Sequence, residues 1–392
     1  MRILTFSTLY PSAQNPSHGI FVENRLRELL ASGQVEARVV APVPWAPPGS
    51  QFLGEYARYQ KTAPHETRHG IDVIHPRYLL IPKFGMTAAP ATMYASLRGV
   101  FRNIIASGYD FDLIDAHYFY PDGVAAVLLG RMLNKPVVIT ARGTDLNLIP
   151  EYALPRRQIL WAARHASGII TVCQALKDTL TGMGVPPPAV RALRNGVDLK
   201  RFYPMDRAAA RSELGIEGPT LLSVGHLIDR KGHDLIIRAM PGLREFRLLI
   251  AGDGVERDNL QELAKTLRVT DRVTFLGGVR PENMPRLYSA ADALILASSR
   301  EGWANVLLEA MACGTPVVAS NVWGTPEVVA DPAAGVLMAE RTANGVANSV
   351  RALFAQLPSR QRTRAYAERF SWQPTTQGQL DMFKEILSKR SV

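Results

Sequence analysis

Through nearly the whole of the 392-residue chain, short runs of Leu, Ile, Val and Ala alternate with longer stretches whose apolar residues recur every three to four positions. A short apolar run between polar turns marks a strand buried on both faces, and the three-to-four spacing marks a helix with one buried side. The pattern predicts a first strand from Arg2 to Phe6. A polar loop, Ser7 to Gly19, then leads into a helix with Phe21, Val22, Leu26, Leu29 and Leu30 on one side. Ala37 to Ala41 reads as the next strand, and the Pro-rich stretch Pro42 to Pro64 is too long for a simple connection. Regular alternation resumes with strands at Leu113–Ala116, Val137–Thr140, Gly168–Val172 and Ala189–Leu193. Helices are expected between them at Gly123–Leu133, Arg156–Ala166 and Ala175–Met183.

After the turn Arg194-Asn195-Gly196-Val197-Asp198 and Phe202-Tyr203-Pro204, a second series begins. Its expected strands are Thr220–Val224, Arg247–Ala251, Val273–Leu276, Ala293–Leu296 and Pro316–Ala319. Its helices are Asp234–Met240, Arg257–Leu267 and Met284–Ala290, and the last 50 residues read as helical. Alternating strands and helices predict an α/β protein with parallel sheets covered on both faces. Two such series predict two Rossmann-like domains, 1–202 and 203–372, facing a central cleft at the C-terminal ends of their strands.

Composition agrees with two separate cores: 47% of residues are hydrophobic and 20% charged. Cys173 and Cys313, the only cysteines, lie in apolar contexts and read as buried thiols of a reducing compartment. No Cys or His spacing suits a metal, so none is expected. The N-terminus reads as a strand rather than a secretory leader, and no run of about 18 apolar residues spans a membrane. A cytoplasmic location is therefore expected.

Charge refines this. Of the formal net charge of +10, residues 1–202 hold 22 Lys/Arg against 14 Asp/Glu, and the remainder 23 against 21. Nucleic acid is disfavoured, because no basic run or stacking pattern accompanies the charge. Peripheral contact with an anionic membrane, at the inner face of the cell membrane, or an acidic acceptor suits it better. Residues 77–105 mix Arg77, Lys83, Arg98 and Arg102 with many apolar side chains, at helical spacing from Ala91 onward. This reads either as a core-packed helix or as one lying on a membrane.

The candidate chemistry concentrates in residues 299–319, Ser-Arg-Glu-Gly-Trp-Ala-Asn-Val-Leu-Leu-Glu-Ala-Met-Ala-Cys-Gly-Thr-Pro-Val-Val-Ala. Asn305 is expected to cap a short helix whose free amides, with those of Gly302 and Val306, suit a phosphate. Glu301 precedes that helix start and Glu309 follows it by one turn, a layout that matches a nucleoside diphosphate bonded to a sugar. The pattern Glu-Gly-x-x-Asn-x-x-x-Glu-Ala-x-Ala-x-Gly-x-Pro-Val-Val-Ala resembles the signature of glycosyltransferase family 4, retaining enzymes with the GT-B fold.

That resemblance implies that Glu309 accepts the ribose hydroxyls and that Glu301 contacts hydroxyls of the transferred sugar. It aligns Lys231 in Gly225-His226-Leu227-Ile228-Asp229-Arg230-Lys231-Gly232 with the family lysine, while His226 stands where the family has Arg. Arg230 or His226 would supply the second phosphate contact. Gly19 would let backbone approach phosphate, although a helix-capping role suits it as well. His117 matches the histidine that contacts the donor sugar. Asp145, in Arg142-Gly143-Thr144-Asp145, matches the acid of a His-Gly-x-Asp motif whose His is here Arg142. In relatives a Phe-Ser-Trp like Phe370-Ser371-Trp372 precedes a helix that returns to the first domain, so residues 373–392 are expected there. Asp110-Phe111-Asp112 and Gly252-Asp253-Gly254 read as turns.

The resemblance implies a metal-independent hexosyltransferase that uses a UDP- or GDP-sugar and needs no further cofactor. The acceptor would be a glycan or a lipid-linked glycan, in polysaccharide or glycolipid biosynthesis. The N-terminal domain would bind acceptor and the C-terminal domain donor. The alternatives are a sugar-nucleotide epimerase or a phosphorylase on the same fold, and a non-catalytic sugar-binding protein.

Overall fold

A computed structural model describes residues 1–45, 59–79 and 85–390. Most of the expected irregular stretch 42–64, together with Lys83, lies outside the described residues. The chain divides into two compact units, one of Met1–Arg194 with Gln373–Val392 and one of Asn195–Trp372.

The first unit is built on an eight-stranded sheet. In chain order its strands are β1 (Arg2–Phe6), β2 (Glu36–Val40), β3 (His65–Arg68), β4 (Ile71–Ile74), β5 (Leu113–His117), β6 (Val137–Ala141), β7 (Gly168–Thr171) and β8 (Val190–Ala192). Across the sheet they run β8-β7-β6-β5-β1-β2-β4-β3. All pairs are parallel except the edge pair β3–β4, a hairpin. Strands β5 and β6 are buried along their whole length, the buried polar residues Asp115, His117 and Thr140 included. Helices α1 (Ile20–Ala31), α2 (Ala89–Ala106), α3 (Val124–Leu133), α4 (Ala153–His165) and α5 (Gln373–Ser388) cover this unit. Val22, Leu26 and Leu29 of α1 join Leu380 and Phe383 of α5 over Ile3, Val39 and Val138 in one core.

Helix α2 settles the choice left open by its sequence. Met93, Leu97 and Phe101 are fully buried and Ile104 nearly so, so its apolar stripe faces protein and offers nothing to a membrane. Among the described residues, no helix is long and apolar enough to cross a membrane.

The second unit has a six-stranded parallel sheet. Its strands are β9 (Thr220–Val224), β10 (Arg247–Ala251), β11 (Val273–Gly277), β12 (Ala293–Leu296), β13 (Val317–Ser320) and β14 (Gly335–Met338), in the order β11-β10-β9-β12-β13-β14. The switch point, where the order reverses, lies between β9 and β12, and their C-terminal ends lead into the loops that carry Lys231 and Glu301.

The division after Arg194 corrects the expected boundary at residue 202. Residues 195–202 are tied into the second unit by Val197 N–H donating to the Phe370 carbonyl at 2.9 Å. Arg364 Nη1 donates to the Phe202 carbonyl at 2.6 Å, and the Phe202 ring meets Tyr288 at 6.1 Å between centroids. Those partners lie some 90 to 170 positions along the chain, so no local pattern announces them.

Candidate active site

In the second unit, β9 ends in a loop that turns through Gly225 and Gly232. Gly232 has φ +68, and a Cβ there would fall on the Ala297 carbonyl, so this turn requires glycine. The turn aims Lys231 at the segment after β12. Lys231 Nζ donates to Glu301 Oε1 at 2.6 Å, and Arg230 Nη1 lies 3.9 Å from the same oxygen. Arg230 Nη1 also donates to the Arg300 carbonyl at 2.8 Å. Glu301 is 8% exposed. Burial drives its carboxyl up, but the Lys231 ammonium, the Ser298 hydroxyl and Arg230 together outweigh burial and hold it below the usual carboxylate range. His226 is exposed on the same loop.

Residues 305–312 form helix α6, Asn305–Ala312. Asn305 is its first helical residue and Ala304 its cap, with no side-chain cap bond, which corrects the expected capping by Asn305. The Asn305 side chain instead accepts from Asn195 Nδ2 at 3.4 Å. The Asn305 amide donates to the Trp303 carbonyl and that of Leu307 to the Ala304 carbonyl, each at 3.1 Å, so the affinity of the helix start for an anion falls to the Val306 amide. Gly302 lies just before, buried.

Glu309, half-buried one turn into α6, accepts a 2.8 Å hydrogen bond from the Tyr288 hydroxyl. Burial raises its carboxyl above the usual range, and the Tyr288 bond and nearby Arg201 counter that rise. Tyr288 escaped sequence reading because it sits beside Met284, Leu287 and Ala290 in the helix Met284–Ala290, where its ring reads as core. It is indeed fully buried, and only its hydroxyl reaches the site.

In the first unit, β5 and β6 end side by side and deliver His117, Arg142 and Asp145. Arg142 Nη2 donates to His117 Nδ1 at 2.6 Å, which places the ring proton on Nε2, bonded to Asp115 Oδ2 at 3.1 Å. Burial pulls the His117 imidazole down to about 4, against the pull of Asp115. The ring is neutral, buried and engaged at both nitrogens, so as placed it offers none to a sugar. Asp145 is likewise turned inward: its carboxylate accepts from the backbone amides of Phe119 at 2.7 Å, Gly143 at 2.6 Å and Arg142 at 3.1 Å. It shapes the β6 loop and, in this arrangement, presents no oxygen to a ligand. Tyr118, beside His117, is held at φ +82, a strained backbone of the kind that gathers at functional sites.

Gly19 has φ +66 and lies at the start of α1, where a Cβ would strike the Leu9 carbonyl group. The loop it touches is pinned by Asp122, a residue sequence reading overlooked. Its carboxyl accepts from Thr8 N–H at 2.6 Å and from the Thr8 hydroxyl at 2.9 Å. Burial pushes Asp122 up to about 7. Gly19→Ala is expected to destabilise the first unit by roughly 2–4 kcal/mol, combining left-handed strain with a backbone clash. Urea denaturation checks this, and an unchanged midpoint would contradict the close approach.

The two sequences expected to be turns lie in irregular connections, one between a helix and a strand and one after a strand. Asp110 pairs with Lys135 at 2.6 Å and Asp112 accepts from Arg2 N–H at 2.8 Å. Gly252 has φ +149 and abuts Gly225, so that glycine serves loop-on-loop packing.

Comparison with known proteins gives this geometry a context. Residues 206–370 match the family described as Glycosyl transferases group 1, and residues 22–201 match Glycosyltransferase Family 4. The D-inositol 3-phosphate glycosyltransferase of Saccharomonospora viridis is 32% identical over 336 residues, covering 76% of each chain. A putative teichuronic acid biosynthesis glycosyltransferase, TuaC of Bacillus subtilis, is 28% identical over 83% of this chain and 82% of its own. Sucrose-phosphate synthase from Thermosynechococcus elongatus superposes with a TM-score of 0.81 at 21% identity, over 99% of this chain and 100% of its own. Anabaena HepE in complex with UDP-glucose gives 0.73 at 19% identity, over 99% and 100%. The paired parallel-sheet units and these matches agree: the chain belongs to glycosyltransferase family 4 and has the GT-B fold.

Proposed function

We propose that the protein transfers a hexosyl unit, with retention and without a metal, from a nucleotide diphosphate sugar to a glycan or lipid-linked acceptor in cell-surface polysaccharide or glycolipid biosynthesis. The observation that carries this reading is the convergence of Lys231, Arg230 and Glu301 beside the uncapped start of α6, with Glu309 one turn further on. The names of relatives and the UDP-glucose bound to HepE support it.

In this reading the donor diphosphate lies against Lys231, Arg230 and the amides of Gly302 and Val306, the Asn305 amide being engaged by the Trp303 carbonyl at 3.1 Å. Cations there stabilise the charge that grows on the leaving diphosphate. Glu309, oriented by Tyr288, accepts the ribose hydroxyls, and Glu301 contacts the sugar. Lys231 cannot serve Glu301 alone once a diphosphate arrives, so donor binding shares its ammonium between carboxylate and phosphate. Exposed His226 is free to follow as a weaker donor. Gly19, His117 and Asp145 act by holding the loops of the acceptor-binding N-terminal unit.

A panel of UDP- and GDP-sugars tests this by thermal stabilisation: the true donor at about 100 times its dissociation constant stabilises by roughly 2.7 kcal/mol. Glu309→Ala is expected to raise the donor KM at least tenfold, since a carboxylate accepting hydroxyl bonds contributes about 1.5–3 kcal/mol. Wild-type KM in that variant would remove Glu309 from the donor site. Conversion of a nucleotide sugar to its epimer without acceptor would replace transfer by epimerisation.

A further inference from the structure

Strand β12, whose loop carries Glu301, lies between β9 and β13 in the sheet of the second unit. The β9 loop brings Lys231 and Arg230 to Glu301 from one side, and the β13 loop leaves the sheet on the other. Leu296 pairs with Ala319 at the ends of β12 and β13, and just beyond them the Ser320 hydroxyl donates to the Ser298 carbonyl at 2.6 Å. That bond holds the two loops side by side. Three residues past it on the two segments stand Glu301 and Trp323.

Residues 322–325 make a tight turn, closed by the Thr325 N–H donating to the Val322 carbonyl at 3.0 Å. Trp323 has φ +49 and Gly324 φ −76 with ψ −6, the signs of a type II′ turn, whose first central residue is ordinarily glycine. The order here is the reverse. Glycine occupies the second position, which tolerates any side chain, and the bulkiest side chain occupies the first, where a left-handed backbone is strained. Strain of this kind persists where a side chain is needed at one place. Internal packing does not explain the need. The rings of Trp161 and Trp303 meet those of His165 and Phe370 at 4.8 and 6.2 Å, whereas half-buried Trp323 has no ring, cation or hydrogen-bond partner among the described residues. A tryptophan so placed has a free apolar face and a free N–H donor.

We propose that Trp323 is a specificity-determining residue that stacks on the C–H face of the transferred pyranose, on the side of Glu301 away from Lys231. A pyranose presents a face of C–H groups rimmed by hydroxyls, and a flat apolar ring with one N–H at its edge matches both. The inference rests on the transferase reading and deepens it. With the diphosphate against Lys231 and Arg230, the far side of Glu301 is left for the sugar. Glu301 takes hydroxyls on the rim and the indole takes the face, so together they fix a ring that neither orients alone. Hexoses that differ in which hydroxyls are axial present different C–H faces, which makes the stack selective.

Calorimetric titration of the full-length protein tests it, with UDP-glucose, UDP-galactose, UDP-N-acetylglucosamine and GDP-mannose set against bare UDP and GDP. Trp323→Gly is expected to bind the bare diphosphate as the wild type does and the best-bound nucleotide sugar about tenfold more weakly, the loss of one aromatic contact. Trp323→Phe, which keeps a ring, should recover most of that loss. Glycine suits the turn, so Trp323→Gly should unfold at no lower urea concentration than the wild type, which separates a lost contact from a lost fold. Wild-type affinity of Trp323→Gly for the nucleotide sugar would overturn the proposal. Equal weakening toward the sugar nucleotide and the bare diphosphate would overturn it too, because the residue would then shape the loop rather than meet the sugar. Glu309→Ala, read in parallel, should weaken both kinds of ligand; if it weakens neither, the donor reading fails at Glu309 while the Trp323 comparison still stands.

Discussion

Lys231→Met is expected to lower the rate of sugar transfer by about 10²–10³-fold, the effect of removing one preorganised charge-stabilising group from a transition state. The lysine is specified by its surroundings. The Gly232 turn fixes the backbone, 14% of its side chain is exposed, and its ammonium lies 2.6 Å from Glu301. Methionine keeps the stem and removes the charge. Glu301 then loses the chief of the partners that offset its burial, and its carboxyl rises. Arg230 at 3.9 Å remains as a weaker partner, so destabilisation should fall below the 3–5 kcal/mol typical of a broken buried pair.

The pH dependence follows from the same pair. In the wild type the folded Glu301 titrates below its ordinary 4.5. Its contribution to stability is therefore complete above 4.5 and is lost as pH falls through the lower folded value. Lys231→Met should flatten that loss. Adding Glu301→Gln to Lys231→Met should recover stability and leave transfer slow, which separates the catalytic deficit from a folding one. A single variant with wild-type kcat would remove Lys231 from catalysis.

Strands of both sheets were legible because burial on two faces writes a run of Leu, Ile and Val, as in Thr220–Val224, Arg247–Ala251 and Ala293–Leu296, whose expected bounds match those observed. The hairpin His65–Arg68 with Ile71–Ile74 was not, because an edge strand reading His-Glu-Thr-Arg carries no apolar signal. Glu301 and Glu309 could be singled out through a motif contiguous in sequence. Of their partners, Lys231, which meets Glu301 across 70 positions, could be reached through the family lysine it matches, but Tyr288, 21 positions from Glu309, could not. Arg25 shows the same difficulty more sharply. On α1 it sits where a solvated charge would be expected, yet it is 2% exposed, because its partner Gln379 arrives from the far end of the chain.

That arginine belongs to a network whose disruption should have the largest effect on stability. Asp115→Ala is expected to destabilise the first unit by about 3–5 kcal/mol, the range for removing one partner of a buried charge cluster. Asp115 is 1% exposed and its Oδ2 accepts from His117 Nε2 at 3.1 Å and from Gln379 Nε2 at 3.1 Å. Gln379 in turn accepts from Arg25 Nε at 2.9 Å. Burial lowers both Arg25 and Arg142, and Asp115 opposes that in each case. Without the carboxylate, two guanidiniums and a neutral imidazole share one interior with only Asp145 to balance them. Because Gln379 lies on α5, the same change should loosen that helix, visible as faster amide exchange over residues 373–388. Asp115→Asn, which keeps an acceptor but not the charge, should fall between alanine and wild type.

Two titrations set how the deficit varies with pH. Asp115 is held below its ordinary 3.8, and His117 is drawn from 6.5 to about 4. The unfolded chain binds protons at both positions before the folded one does, so wild-type stability falls as pH drops from about 6.5 toward 4. The gap between wild type and Asp115→Ala should therefore be widest at neutral pH and narrow in acid, once the folded Asp115 itself takes up a proton. Urea unfolding of both proteins at pH 7 and at a series of pH values below 3.8 measures it. A constant gap would mean that packing rather than charge accounts for Asp115, and no gap at pH 7 would show that the cluster is solvated in solution.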